Sequence, residues 1–249
     1  MGEDLLSIGV DGCRAGWLVI ALGDDGVWQY RVADKLKHVI KELPQEYLML
    51  VDMPLGLLSG AGRERECDHL ARKLLGRPRS SSVFPPPARP TLAAGDYVEA
   101  QVINRRCLGR GLSQQAWNLV PKIRELDRLR RKEHGVADRL RESHPEVCFW
   151  ALNKQRSPLH NKKTLEGRRE RIRILSRHQH NAKEIIEVIA QSTLRKDVAW
   201  DDIVDALVLA VTARLGQRQL QTLPAPAPKD RYGIAMEIVY AVVNADRCP

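Results

Sequence analysis

The chain has 249 residues, 43% apolar and 29% charged, and its 40 Lys and Arg outnumber 31 Asp and Glu to give a formal net charge of +9. That length suits one large domain, or one core with a sizeable insertion. Dense charge, and the lack of any run near the roughly 20 apolar residues that span a bilayer, argue against a membrane protein.

Residues 5–10 are apolar and β-branched and predict a buried strand. Residues 17–22 form a second apolar run beyond the short connection 12–16, so the two are expected to pair as a hairpin. Asp24-Asp25-Gly26 marks another turn, and 27–32 alternates as a third strand. Residues 33–43 carry Leu36, Val39, Ile40 and Leu43 at helical spacing. Residues 47–51 are a short apolar strand that stops at Asp52-Met53-Pro54. The opening reads β-β-β-α-β, with Asp11 closing the first strand and Asp52 the fourth.

Residues 55–136 change character. They are basic, helical at 63–75 and 114–132, and broken by Pro85-Pro86-Pro87 and Pro90, which cannot lie inside a helix or a central strand. This stretch reads as a helical and loop insertion within a single domain over 1–249. A fifth strand is expected at 137–141, ending at Glu142-Ser143-His144-Pro145-Glu146. Helices follow at 147–152, which Pro145 helps to start, at 165–175, and at 200–215, the most apolar of all. Residues 224–228 read as an extended Pro-rich linker. The alternation of Ile234, Met236, Ile238 and Tyr240 predicts a last strand at a sheet edge.

The late helix opens with Asp201 and Asp202, which a helix N-terminus welcomes. Asp205 is less easily explained. It shares a face with Asp202 and directly precedes the buried run Ala206-Leu207-Val208-Leu209-Ala210. A carboxylate there needs a partner, either a nearby Arg or a metal ion. If strands one and four are parallel neighbours, Asp11 and Asp52 end side by side at the carboxyl edge of the sheet, where open α/β folds bind ligands. Several acids gathered there repel one another unless a cation neutralises them. Their hard oxygen ligands suit Mg²⁺ or Mn²⁺, a chemistry that serves phosphodiester hydrolysis. Each acid also has a bland reading, since an Asp in Val-Asp-Gly commonly just caps a turn.

This order resembles the ribonuclease H-like superfamily, including the Holliday-junction resolvases, whose final helix carries a similar Asp-x-x-Asp-Ala-Leu, here Asp202 to Leu207. More closely, the chain is similar to the domain-of-unknown-function 429 family of predicted RNase H-like nucleases. The resemblance rests on Gly-Val-Asp-Gly-Cys-Arg-Ala-Gly-Trp (9–17), Val-Asp-Met-Pro-Leu-Gly-Leu (51–57), and Cys-Asp-x-x-Ala-Arg-x-x-Leu-Gly-Arg (67–77). Ser-Ser-Val-Phe-x-x-Pro (81–87), Pro-Lys-Ile (121–123), Glu-Ser-His-Pro-Glu-Val (142–147), Asp-Asp-Ile-Val-Asp-Ala (201–206) and Met-Glu-Ile (236–238) extend it over nearly the full length. The resemblance implies an α/β fold with a ribonuclease H-like mixed five-stranded sheet in β-β-β-α-β-α-β-α order. Helices flank that sheet, with the helical insertion and an extra C-terminal edge strand. It also implies Asp11, Asp52, Asp202 and Asp205 as metal ligands, with Glu142 as a fifth catalytic acid. One departure is Asp52, where many active nucleases of the superfamily carry the longer Glu.

The basic excess gathers at 63–79, 105–110, 122–141 and 162–177, and a polyanion such as DNA or RNA is the natural partner. Candidate substrate-binding residues are Arg14, Arg63, Arg72, Arg79, Lys122 and His144. Arg14 has an equally good structural reading as a salt bridge to Asp52, and a His before Pro commonly caps. Gly12 and Gly16 lack the Lys and Ser/Thr of a phosphate loop. The five cysteines, with no Cys-x-x-Cys pair, argue against a disulfide framework or structural zinc. The opening Met1-Gly2-Glu3-Asp4 shows no signal-peptide pattern, so the expected location is cytoplasmic. The leading expectation is a metal-dependent nuclease. The alternatives are a nucleic-acid-binding scaffold of the same fold and a nucleotide-dependent phosphotransferase.

Overall fold

The computed structural model describes residues 5–23, 26–60, 62, 64–132, 135–136, 138–217 and 219–243. Its elements in chain order begin with β1 (Leu6–Cys13), β2 (Gly16–Leu22), β3 (Trp28–Ala33), α1 (Leu36–Ile40) and β4 (Tyr47–Val51). Then come α2 (Glu66–Leu75), α3 (Tyr97–Leu108), α4 (Gln114–Lys132), β5 (Leu140–Glu142) and α5 (Pro145–Leu152). The chain closes with α6 (Leu165–Ser176), α7 (Ala182–Ser192), α8 (Trp200–Gly216), β6 (Leu220–Leu223) and β7 (Ile238–Ala241). Two compact units result. The first comprises Met1–Asp52, Arg139–Gln221 and Val239–Pro249, the second Met53–Asp138 and Thr222–Ile238.

The first unit is built on a mixed five-stranded sheet in the order β3-β2-β1-β4-β5. β1 pairs antiparallel with β2, and β2 with β3, whereas β1–β4 and β4–β5 are parallel. The β1–β2 turn closes tightly, with Cys13 opposite Gly16. Gly16 has φ +134° there, and a Cβ on it would lie 2.2 Å from the carbonyl oxygen of Ala33, so a side chain is excluded.

The register decides which side chains share a face, because strand residues alternate. Gly9, Asp11 and Cys13 of β1 share one face, beside Ile20 and Leu18 of β2 and Leu50 of β4. Leu18, Ile20, Leu22, Leu48, Leu50 and Cys13 form one apolar cluster with residues of α5, α6, α7 and α8. α8 therefore lies against that face, with 203–211 all buried. At Gly9 the fit is backbone on backbone: an added Cβ would lie 2.0 Å from the carbonyl oxygen of Ala206 and 2.3 Å from the amide of Ala210. Gly9→Ala is expected to cost about 1–3 kcal/mol by forcing the helix off the strand. Urea unfolding measures this, and unchanged stability would contradict the close seating.

The second unit holds α2, α3 and α4 together with buried ion pairs. Arg65 forks onto Asp68, through Nε at 2.9 Å and an Nη at 2.6 Å. Arg89 pairs with both Asp127 and Asp230. Such pairs are costly to break singly, because the survivor stays buried and charged.

Two expectations need correction. The last strand does not extend the main sheet as an extra edge. β7 pairs with the unforeseen β6 in a separate two-stranded sheet, and Val239 reaches β5 only through a single bridge to Ser143. β5 has just three residues before Pro145 opens α5, so it offers no length for another strand to pair with. That strand also starts later than expected, at Leu140 opposite Met49. Helices α3 and α7 were likewise unforeseen. Cys13, Cys67, Cys107 and Cys148 form no disulfide among the described residues, and Cys248 lies outside them. Among the described residues no helix is long and apolar enough to cross a membrane.

Candidate functional site

The site is assembled at the carboxyl ends of β1 and β4. Val10 pairs with Val51, and the amide of Asp52 donates to the carbonyl of Val10 at 3.0 Å. Asp11 and Asp52 follow these residues on adjacent parallel strands. Parity puts both on the face that α8 covers. α8 crosses above Gly9 at Ala206 and Ala210, so the turn before it brings Asp205 and Asp202 toward Asp11. Electrostatics bears this out: Asp11 experiences the charges of Asp52, Asp205 and Asp202.

Asp11 and Asp205 are buried, at 8% and 4% exposure. One oxygen of Asp11 accepts the amide of Gly12 at 2.7 Å, which fixes the carboxylate at the turn. Asp205 Oδ2 accepts from Lys162 Nζ at 2.6 Å, whereas Asp205 Oδ1 is buried with no hydrogen-bond partner. Lys162 also lies 3.8 Å from Asp201. Asp202 instead reaches back to the amide of Ala199 at 2.8 Å, capping the first turn of α8.

The acids do not share this space easily. Burial, followed by the charges of Asp52, Asp205 and Asp202, holds the Asp11 carboxyl well above the usual carboxylate range. Burial also raises Asp52, with Glu146 adding to the rise while His144 and Lys162 oppose it. Asp205 is pushed up to about 6, chiefly by burial and then by Asp52 and Glu146, against the opposing pull of Lys162. Burial alone would lower Lys162, but Asp205, Asp201 and Asp52 outweigh it and raise the ammonium above its ordinary value. One lysine does not neutralise the cluster.

The sequence matches, over residues 9–229, the family described as "Protein of unknown function (DUF429)". The chain belongs to that family. No curated protein and no solved structure matched it.

In this DUF429 chain the sequence-predicted residues fall into three groups. Asp11, Asp52 and Asp205, with Asp202 beside them, are brought together. His144 joins them as the residue before α5, close enough for its charge to act on Asp52. Glu142 does not join. It pairs with Val51, which pairs with Val10, so its side chain lies on the opposite face of the sheet from Asp11 and Asp52. One residue of strand parity thus separates Glu142 from the face that carries Asp11 and Asp52.

Arg14 is exposed in the β1–β2 turn and makes no ion pair among the described residues, so the salt bridge to Asp52 is absent. Arg72, Arg79 and Lys122 belong to the second unit. Arg72 is engaged there by the carbonyl of Val83 at 2.8 Å and by Glu64. Arg79 opens the short helical turn Arg79–Ser82, and Lys122 is half-buried on α4. Arg63 lies outside the described residues.

Two members of the site went unread in the sequence. Glu146, buried in the first turn of α5, acts on both Asp52 and Asp205. The buried Arg171 holds one of its oxygens, and the other, Oε2, has no partner. Lys162, between α5 and α6, is the second. Glu146 lies within the Glu-Ser-His-Pro-Glu-Val block (142–147) with nothing there to mark it as a site residue, and Lys162 sits in no motif; both reach the acids only through the packing of α5, α6 and α8.

The donor set is all oxygen, and two of its buried carboxylate oxygens lack partners. Oxygen donors of this kind are those a hard cation takes, but the ligand atoms of Asp11, Asp52 and Asp205 do not all lie within 4.8 Å of one another, so the cluster is not closed around an ion position.

Proposed function

We propose that this chain is a metal-dependent nuclease that hydrolyses phosphodiester bonds of DNA or RNA, with an RNase H-like first unit carrying the chemistry. The observation that carries the reading is the meeting of Asp11 and Asp52, from neighbouring parallel strands, with Asp205 of α8, whose Oδ1 is buried and unpartnered. The mixed sheet order, and a final helix bearing Asp-x-x-Asp across its face, support the fold half of the proposal. On the same reading the second unit is an elaboration inserted after Asp52, and its basic helices offer charge for a phosphate backbone.

Asp11, Asp52 and Asp205 would hold the cation, with Asp202 at the margin because one of its oxygens caps α8. When bound, a hard divalent cation supplies charge that acidifies a water and offsets charge on a leaving oxygen. The chain's own part is to fix geometry. Gly12 locks the Asp11 carboxylate, strand pairing sets the spacing of Asp11 and Asp52, and Lys162 orients Asp205. The carboxylates also provide acceptors for the proton that water must lose.

The test is cleavage by the pure chain of single-stranded, duplex and branched DNA and RNA, with Mg²⁺ or Mn²⁺ and with EDTA. Cleavage with metal and none with EDTA is expected. If every substrate survives with both metals, the second reading, a nucleic-acid-binding scaffold of the same fold, takes over. The Lys162–Asp205 contact favours that alternative, because it places a resident positive charge among the acids. Both readings expect binding that weakens steeply with salt.

A further inference from the structure

The first unit carries a cleft that the acids do not use. Its volume is about 410 Å³, within the usual range for ligand pockets, and it lies between the edge strand β3 and the connection from α7 to α8. β3 is outermost in the sheet and brings Tyr30 and Val32 to the cleft. Tyr30 is half-buried, with its ring centroid 6.4 Å from that of Trp28 and the two planes 24° apart. The other side of the cleft holds Leu194, which is 63% exposed, with Thr193 and Asp197 as polar neighbours.

The register relates the cleft to the acids. Asp11 pairs with Leu18 and Leu18 with Val32, so Asp11 and Val32 share a face two strand spacings apart, about 10 Å. At the cleft two loops meet, the amide of Ala15 donating to the carbonyl of Asp197 at 3.2 Å. The first loop follows Asp11, and the second leads into the start of α8 with Asp201 and Asp202. The same loops carry Arg14, Arg195 and Lys196, all exposed and none in an ion pair among the described residues. Unspent positive charge beside an aromatic wall is the composition of a single-strand site, where cations take the phosphates and a ring takes a base.

We infer that this cleft is a base pocket for single-stranded nucleic acid. One base of the strand enters it against Tyr30 and Leu194, and the phosphates flanking that base meet Arg14, Arg195 and Lys196. This rests on the nucleic-acid half of the nuclease reading and narrows it to single strands or unpaired loops. A base stacked and paired within a duplex cannot enter a cleft walled by a sheet edge, whereas an unpaired base swings out freely. The short span from Val32 to Asp11 lets the next stretch of the same strand reach the acids.

The experiment is fluorescence-anisotropy binding of the full chain, in EDTA, to a labelled single strand, to the same strand made abasic, and to a blunt duplex, in DNA and in RNA. The intact single strand is expected to bind about tenfold more tightly than the abasic strand or the duplex. Tyr30→Leu, which removes the ring and keeps an apolar side chain, is expected to lose about that factor on the intact strand and nothing on the abasic one. Leu194→Ser is expected to do the same, and it is the decisive variant, because Tyr30 also packs against the core. Replacing Arg195 and Lys196 together by Gln is expected to weaken binding to all three and to lower the salt slope by roughly 1.5 to 2. Equal binding of intact and abasic strands, or a Leu194→Ser protein that binds both as the wild type does, would overturn the base pocket, and metal-dependent cleavage would then leave the nuclease reading standing. A second copy seated on the free edge of β3, seen in sedimentation as a dimer that Leu194→Ser dissociates, would overturn it as well. Failure to bind any of the nucleic acids would overturn both.

Discussion

Asp11→Asn is expected to abolish divalent-cation binding and to lower metal-dependent cleavage about a thousandfold or more, equivalent to about 4 kcal/mol of barrier. The same substitution is expected to raise the melting temperature of the metal-free protein at neutral pH. The two effects share a cause. Asp11 is buried among Asp52, Asp205 and Asp202, so its negative charge is a liability without a cation and the chief attraction for one. Asparagine keeps the shape and can still accept the Gly12 amide through its own Oδ1. A turn-capping Asp would therefore tolerate the change, losing neither cleavage nor stability. Calorimetric Mn²⁺ titration, nuclease assays and thermal melting in EDTA separate the cases. An Asp11→Asn protein that cleaves at the wild-type rate removes Asp11 from the chemistry.

The metal-free chain is also expected to lose stability as pH rises from about 4 to beyond 6, and to regain it when Mn²⁺ or Mg²⁺ is added. For Asp205 the unfolded carboxyl titrates near 3.9, whereas in the folded chain it titrates at about 6. Below the lower value both states are protonated and folding incurs no penalty. Between the two values the unfolded state gives up its proton and the folded state retains it, so unfolding becomes easier. Above the folded value the loss is complete, on the order of 3 kcal/mol for Asp205 alone. Asp11 and Asp52, both raised, act in the same direction. For a chain of this size that loss lowers the melting temperature by roughly 6–12 °C. Melting curves in EDTA across this range, compared with those of Asp205→Asn, isolate the contribution, because the variant lacks the titrating group. Parallel curves for the two proteins would refute it. Recovery by a saturating cation at neutral pH follows from its preference for the folded chain.

The first half of the sheet was open to reading because its strands are short apolar runs between strong turn signals. Residues 47–51 and the helix at 114–132 match the observed elements at both ends. The sequence posed the parallel pairing of β1 and β4 only as a condition for Asp11 and Asp52 to end side by side, and the register meets that condition. Parity at β5 was beyond the sequence. Three residues carry too little alternation to fix a register, and one step moves Glu142 from one face to the other. α7 is a different kind of omission, since Ala182, Ile185, Ile186 and Ile189 display the spacing of a buried helical stripe. Lys162 has no local signal in the sequence, and Glu146 lies in the Glu-Ser-His-Pro-Glu-Val block without a mark of its role, because the nearness of both to the acids arises from packing between helices remote from β1 along the chain.

Gly9 bears on how the acids can be adjusted. With bare main chain from the strand meeting bare main chain from the late helix, no rotamer stands between them to serve as a spacer. Mutations elsewhere in the interior can tighten or loosen the molecule, yet the gap separating the two carriers of carboxylates is gauged by atoms common to every amino acid. Altering that gap requires lifting the whole helix, so a family built this way would vary its chemistry by exchanging the acids or the lysine and keep the frame fixed.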